Sequence, residues 1–238
     1  MKNMALGQWL FTLAMYFLGA CLLAGALVPA LILFQWLWGI WNPGTLVGKA
    51  LFFGTAFGFG FFLSGFTLVM ETVALRFLLG LKLREGEYGF FSAQGVKWAF
   101  VNAMLLIVNL TFMDFMRLTP LLPLYYRLMG AKIGPGVQIN TKGIADVSLI
   151  EIGEDTVIGG DAVLIGHLAE HGKLKLKKTV IGKKVTVGLG AVVMPGAIIG
   201  DGAMIAARSV LPKGTEVPAR SIFAGTPAKF IRSLDDKS

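Results

Sequence analysis

The sequence predicts a chain in two parts: long apolar helices that cross a membrane, then a parallel β-helix, a coil of short flat strands. Three observations predict it. No charged residue lies between Lys2 and Lys49. Aliphatic residues recur in unbroken steps of six from Ile181 to Val217. Phe and Trp nearly vanish after Gly130. Composition agrees, since hydrophobic residues make up 55% of the chain and charged residues 15%, against about a quarter charged in a soluble domain. That balance excludes intrinsic disorder and argues against an ordinary soluble enzyme. The net charge of +8 is no nucleic-acid signature: residues 1–128 carry eight Lys/Arg against four Asp/Glu, and residues 129–238 fourteen against ten. Cys21 is the sole cysteine, which excludes an intrachain disulfide, thiol-based metal sites and redox pairs.

The helical part is expected over residues 1–128. Trp9 to Trp41 is apolar nearly throughout, interrupted by Pro29 and Gln35. A spanning helix needs about 20 apolar residues and a cleavable signal has a much shorter apolar core, so this run reads as a retained span. Trp36, Trp38 and Trp41 gather at its far end, where indole rings favour the headgroup level. Uncharged runs over Ala50–Met70 and Trp98–Met113 give two further spans, with Glu71 and Asp114 at their ends. Pro120–Met129 is too short to cross and reads as an interfacial segment. In the second span Gly54 and Gly58 have the GxxxG spacing that lets helix backbones approach; a groove for a lipid tail is the alternative use of those missing side chains. Asn102 and Asn109, seven apart, share a helix face and are expected to bond a neighbouring helix. Basic residues cluster both at 76–97 and after the third span, which three full crossings cannot place on one side.

The coil is expected over 129–223. Ile181, Val187, Val193, Ile199, Ile205, Leu211 and Val217 hold one register, Ile152, Ile158 and Leu164 a second, Ile133 and Ile139 a third. A period of six fits neither an amphipathic helix nor a hairpin array. It fits one hexad per side of a coil, aliphatic residue inward and glycine near the corner, each coil burying what no single repeat could bury alone. Residues 224–238 are expected to form a closing loop and short helix.

The register breaks after Leu164 and resumes at Ile181, which throws out a segment from Gly166 to Thr179. Loops held on a rigid scaffold are where chemistry concentrates. This one contains both histidines of the chain, His167 and His171, and the alternation Lys173-Leu174-Lys175-Leu176-Lys177, which reads as an edge strand with a solvated charged face that could also meet headgroups or phosphates.

The hexads, the Gly166-His167 pair and the closing Ala224-Gly225-Thr226-Pro227-Ala228 resemble the hexapeptide-repeat acyltransferases of the galactoside and maltose acetyltransferase type, over about residues 130–234. The joining of such a domain to membrane spans resembles the C-terminal region of polylysine-synthetase-type non-ribosomal peptide synthetases. The resemblance implies a left-handed parallel β-helix, a homotrimer, and a thioester donor, acyl-coenzyme A or an acyl-carrier phosphopantetheine. It implies His167 as general base, for which imidazole is suited by its ordinary pKa, with Asp146 orienting it or the acceptor, His171 a further catalytic candidate and Asn140 a substrate-binding one. The donor groove it implies is lined by Gly188, Leu189, Ala207 and Lys213, with Lys229 and Arg232 near the nucleotide end. No metal is implied, because related β-helical carbonic anhydrases use three histidines per site. Leu168 stands where the sugar acetyltransferases often have Pro, a departure that bears on the acceptor more than on the reaction.

Two functions follow. In one, the protein is an integral-membrane acyltransferase of the inner membrane, its β-helix cytoplasmic where the donor is available. It moves an acyl group to a hydroxyl or amine of a lipid-linked or amphiphilic acceptor. In the other, the β-helix is a non-catalytic trimeric scaffold. Retention of the Gly-His loop favours the enzyme.

Overall fold

The structure, a computed structural model, describes residues 2–235. The chain divides into two compact units: one runs to Leu78 and adds Ala103–Thr111, the other comprises Leu79–Asn102 and everything from Phe112 onward.

The first unit is built on α1 (Lys2–Ile40) and α2 (Leu46–Leu78). Among the described residues three helical stretches are long and apolar enough to cross a membrane, Gly7–Ile40, Leu46–Leu78 and Ala93–Thr111. Between α1 and α2 the contact is aromatic: the Trp38 ring lies 5.2 Å from Phe52, and Phe34 lies 5.4 Å from Phe52 and 5.9 Å from Phe53. A cleft of about 330 Å³ lies beside this cluster, lined by Ala30, Phe34, Trp41, Phe52 and Gly60 among others. The GxxxG pair does not make the helix contact. Nothing lies within 4 Å of a Cβ built at Gly54 or Gly58, whereas one at Gly60 would touch Ala30 and one at Gly25 would strike the Glu71 carboxylate. Glu71 is also not a terminal residue, because α2 continues seven residues beyond it to Leu78.

In the second unit β1 (Gly86–Tyr88) precedes α3 (Ala93–Thr111), whose N-terminal turns up to Asn102 belong here. Two short helices follow, α4 (Met113–Met116) and α5 (Leu121–Leu128). Leu122, Pro123, Tyr125 and Tyr126 of α5 are buried, and the Arg127 guanidinium donates to the carbonyls of Ile133 and Gly134. The segment expected at the membrane interface therefore covers the first coil. Its apolar side finds a protein surface, and burial, with Tyr125 alongside, raises the Tyr126 phenol pKa.

The coils follow in order. The first holds β2 (Lys132–Ile133), β3 (Gln138–Ile139) and β4 (Gly143–Ile144), the second β5 (Ile150–Ile152), β6 (Val157–Ile158) and β7 (Val163–Leu164). An antiparallel excursion, β8 (His167–Glu170) and β9 (Lys173–Leu176), precedes the third coil of β10 (Thr179–Ile181), β11 (Thr186–Val187) and β12 (Val192–Val193). The fourth holds β13 (Ile198–Ile199), β14 (Met204–Ile205) and β15 (Val210–Leu211), and the fifth β16 (Glu216–Val217) and β17 (Ser221–Gly225). Strands pair in parallel as three ladders, β2-β5-β10-β13-β16, β3-β6-β11-β14-β17 and β4-β7-β12-β15. The chain visits them in rotation, which fits a β-helix. The three sequence registers become one in space: Ile133 stacks on Ile152, Ile181, Ile199 and Val217. In each two-residue strand from β3 to β16 the second residue, Ile139 through Val217, is buried, because side chains alternate faces along a strand.

Glycine serves two positions of the hexad for different reasons. A Cβ at Gly188 would lie 2.5 Å from the backbone nitrogen of Ala207 in the next coil. Gly190, two residues on, instead has φ +64°, in the left-handed region. The chain closes with β18 (Ala228–Ser233) antiparallel to β17. The short helix expected over 224–238 is thus a strand as far as Ser233, and it pairs with β17, a strand of the fifth coil.

Candidate active site

Two departures from the six-residue step fall at one corner, between the β4-β7-β12-β15 ladder and the β2-β5-β10-β13-β16 ladder. The first lies between Ile144 and Ile150. Asp146 takes a left-handed backbone (φ 53°, ψ 39°), which aspartate tolerates better than most residues, and opens a 3₁₀ turn over Val147–Leu149. The second, one coil on, is the β8-β9 excursion. A Cβ at Gly166 would lie 3.0 Å from Leu149 Cβ and 3.2 Å from Asp146 Cβ. The glycine before His167 is thus what lets the second break close down on the first.

The consequence is a dyad. His167 Nδ1 lies 2.6 Å from Asp146 Oδ2, which also accepts from the Gly166 amide at 2.9 Å. Asp146 Oδ1 accepts from the Trp98 indole Nε1–H at 2.8 Å and from Asn102 Nδ2 at 3.0 Å. The side chain of Asp146 is 0% exposed, while that of His167 is 29% exposed. A buried carboxylate is tolerated only where its lone pairs are met, and here each oxygen meets two donors. An acceptor on Nδ1 fixes the ring proton there and leaves the Nε2 lone pair to act as a base. The Trp98 ring stands edge-on to the imidazole, with centroids 5.0 Å apart and planes at 63°.

The excursion that carries His167 is a hairpin joined by His171-Gly172, with φ of 51° and 71°. Two positive-φ residues make the turn whose twist matches the strands. His171 therefore sits exposed at the tip, away from the dyad. β9 is not an edge strand: β1 pairs with its other side, Glu87 opposite Lys175. Leu174 and Leu176 are buried with Leu83 and Leu149, and Tyr88 and Trp98 pack on that cluster. On the other face Lys175 bridges to Glu87 at 3.3 Å and Glu170 at 3.5 Å, and Lys213 bonds Glu170. The Lys213 hydrogen bond holds the Glu170 carboxyl below its ordinary pKa, and Glu87 raises the Lys175 ammonium. Lys173 and Lys175 of the charged face are thus paired with Glu87 and Glu170 of the same chain. A cleft of about 320 Å³ lies under it, lined by Leu168, Glu170, Lys175, Lys177, Pro195 and Lys213 among others.

The residues expected to hold the donor do not gather in one chain. Lys213 shares the corner of the dyad and is engaged by Glu170. Asn140, Gly188, Leu189 and Ala207 stack at the preceding corner, where a Cβ at Gly160 would touch both Asn140 Nδ2 and Leu189 Cδ1 at 3.4 Å. Leu189 is 53% exposed there. The β4-β7-β12-β15 ladder separates that corner from His167. Lys229 and Arg232 are exposed on β18.

Trp98 and Asn102 are the site residues that sequence reasoning missed. Their signal was two polar-headed side chains four apart on one face of an otherwise apolar helix. Asn102, expected with Asn109 to bond a neighbouring helix, instead donates to Asp146 and to the Trp98 carbonyl, and its Oδ1 faces the Asp146 amide at 3.4 Å.

Comparison with known proteins adds the following. Residues 178–213 match the family described as bacterial transferase hexapeptide (six repeats). A delta-poly-L-ornithine synthetase of Acinetobacter baumannii (strain AB307-0294) is 27% identical over 117 residues, which is 49% of this chain. The chain spans only 9% of the length of that curated relative. Among solved structures, a hexapeptide-repeat acetyltransferase of Vibrio cholerae O1 biovar eltor, complexed with acetyl coenzyme A, aligns with a TM-score of 0.50 and 21% identity. That alignment covers 66% of this chain and 98% of that one. A maltose O-acetyltransferase from Clostridium difficile 630 aligns at 0.49 and 18%, covering 64% and 94%. The C-terminal half carries the hexapeptide-repeat transferase fold, and long apolar helices precede it.

Proposed function

We propose that the protein is an integral-membrane acyltransferase in which His167 is the general base. The observation that carries the reading is the 2.6 Å contact between His167 Nδ1 and a fully buried Asp146 carboxylate, set on a hexapeptide-repeat fold. His167 Nε2 takes the proton of an acceptor hydroxyl or amine as that group attacks the thioester carbonyl. The tetrahedral intermediate then collapses, the C–S bond breaks, and the imidazolium returns the proton to the departing thiolate. Asp146 holds the ring orientation and stabilises the imidazolium.

The donor in this reading is acyl-coenzyme A or an acyl-carrier phosphopantetheine, and the coil is left-handed and homotrimeric. The trimer is supported by the separation within one chain of His167 from the corner of Gly188, Leu189 and Ala207, because a neighbouring protomer can set one corner against the other. An amphiphilic or lipid-linked acceptor is supported by the apolar helices and by the cleft lined by Phe34, Phe52 and Gly60. The coil domain faces the cytoplasm of the inner membrane, where the donor is made.

The test uses the full chain in lipid nanodiscs with radiolabelled acetyl-coenzyme A and, separately, myristoyl-coenzyme A. Membranes of the expressing strain supply the acceptor, and label is counted in the organic phase. Transfer that His167→Ala lowers by about 10²–10⁴-fold, the usual worth of a positioned base, is the expected outcome. Parental transfer by that variant refutes the assignment.

A further inference from the structure

We infer that Trp98 and Asn102, on the N-terminal turns of an apolar helix, are positioning residues that hold the Asp146–His167 dyad in its working tautomer, an inference that rests on the general-base reading. The argument starts from Asp146. A carboxylate with no exposed surface costs several kcal/mol unless donors meet its oxygens. Among the described residues Oδ1 has two donors, Trp98 Nε1 and Asn102 Nδ2, and both come from α3. Oδ2 is shared between Gly166 and His167. Remove the α3 donors and Oδ1 must turn toward the remaining ones, which moves the carboxylate off Nδ1.

Each residue is over-determined for that task. Asn102 is anchored by a second bond from Nδ2 to the Trp98 carbonyl at 2.9 Å, so its amide cannot rotate freely. Its Oδ1 is turned toward the Asp146 amide, gripping the same residue by backbone and side chain. Trp98 touches both members of the dyad, donating to the carboxylate and standing against the imidazole. Its ring also packs on the Leu83, Leu149, Leu174 and Leu176 cluster that seats the hairpin. The spacing of four residues puts both side chains on one face of α3. A segment read from sequence only as a membrane span thus supplies half of the carboxylate's donors.

The test compares the parent with Trp98→Phe, Asn102→Ala and the double variant, each as the full chain in nanodiscs. Trp98→Phe keeps an aromatic ring at this position and removes the N–H with the five-membered part of the indole, whereas Asn102→Ala removes an α3 donor and leaves the Trp98 packing in place. Selective ¹⁵N labelling of histidine gives two ring systems, with His171 at the exposed turn as internal reference. The parent shows His167 protonated on Nδ1, and the variants shift toward the Nε2–H tautomer. Turnover with acetyl-coenzyme A falls about 10- to 100-fold per variant, the range expected for one hydrogen bond to a charged group, with KM for the thioester unchanged. Variants that keep both the Nδ1–H signature and parental kcat, while His167→Ala is inactive, overturn the inference alone. A tautomer that shifts in the variants while His167→Ala keeps parental turnover refutes the general-base reading and leaves the anchoring of the dyad standing.

Discussion

Replacing Asp146 by asparagine tests the dyad most directly, because the substitution changes charge and hydrogen-bonding pattern while the left-handed backbone of this position suits asparagine as well as aspartate. The carboxylate accepts four hydrogen bonds; a carboxamide offers one acceptor oxygen and two donors. If that oxygen stays with Trp98 and Asn102, the new NH₂ faces the buried Gly166 amide and His167 Nδ1. The ring must then carry its proton on Nε2, where it can take none from an acceptor. If the amide turns over, the tautomer survives, but the NH₂ faces the Trp98 indole N–H, and the charge that stabilises an imidazolium is gone. The first orientation leaves the Gly166 amide unmet and the second leaves both the Trp98 N–H and an Asn102 N–H without their acceptor, each lost acceptor worth about 1–3 kcal/mol. Turnover is expected to fall between about 10² and 10⁴-fold, or about 2.7–5.4 kcal/mol in barrier. KM for acetyl-coenzyme A should stay within about threefold, because Asp146 has no exposed atom with which to touch it. The assay is thiol release from acetyl-coenzyme A in nanodiscs with strain membranes as acceptor. A kcat within threefold of the parent, with the His167 ring spectrum unchanged, would refute the reasoning.

The hairpin offers two further tests. Leu174→Ala removes a fully buried side chain from the cluster with Leu83, Leu149 and Leu176, at a cost of about 2–5 kcal/mol. Hydrogen exchange over 167–176 should rise by orders of magnitude while the coils from Ile181 onward stay protected, and equal loosening of both would count against a locally seated hairpin. Glu170 is pulled below its ordinary pKa first by the Lys213 hydrogen bond, so the folded state binds its proton more weakly than the unfolded chain does. The stabilisation it brings is full above the ordinary carboxylate value near 4.5 and is lost as pH falls through the lowered folded value. The protection of the hairpin-tip amides, taken relative to the intrinsic exchange rate at each pH, should therefore fall in acid, and Glu170→Gln should abolish that acid step.

Local sequence specifies structure most fully where its signal repeats. The inward residues Ile181 to Val217 stand in one phase because every hexad meets the same neighbours above and below, so periodicity alone encodes their burial. Long uncharged runs likewise report α1 and α2 without reference to any partner. The elements misread are those whose environment is supplied from afar. Pro120–Met129 looks interfacial until its apolar side is seen against the first coil, and Lys173–Lys177 looks like a bare edge until β1 arrives from the segment before α3. Residues 228–233 become a strand because β17 is there to pair with.

The dyad divides in the same way. Gly166 and His167 are legible as a break in the repeat, and Asp146 only through the family resemblance, as an acid ahead of the Ile152-Gly153 hexad. That the two breaks share a corner is not legible, because it depends on how many residues each insertion adds to the turn of the coil. The donors on α3 are further still from the sequence signal: Trp98 and Asn102 lie more than forty residues before Asp146, and nothing in their own neighbourhood specifies a carboxylate. Sequence by itself determined the helices, the coil and the imidazole. Only the tertiary structure decided which groups face that imidazole, because a side chain's partners are fixed by the stacking of distant turns rather than by its neighbours along the chain.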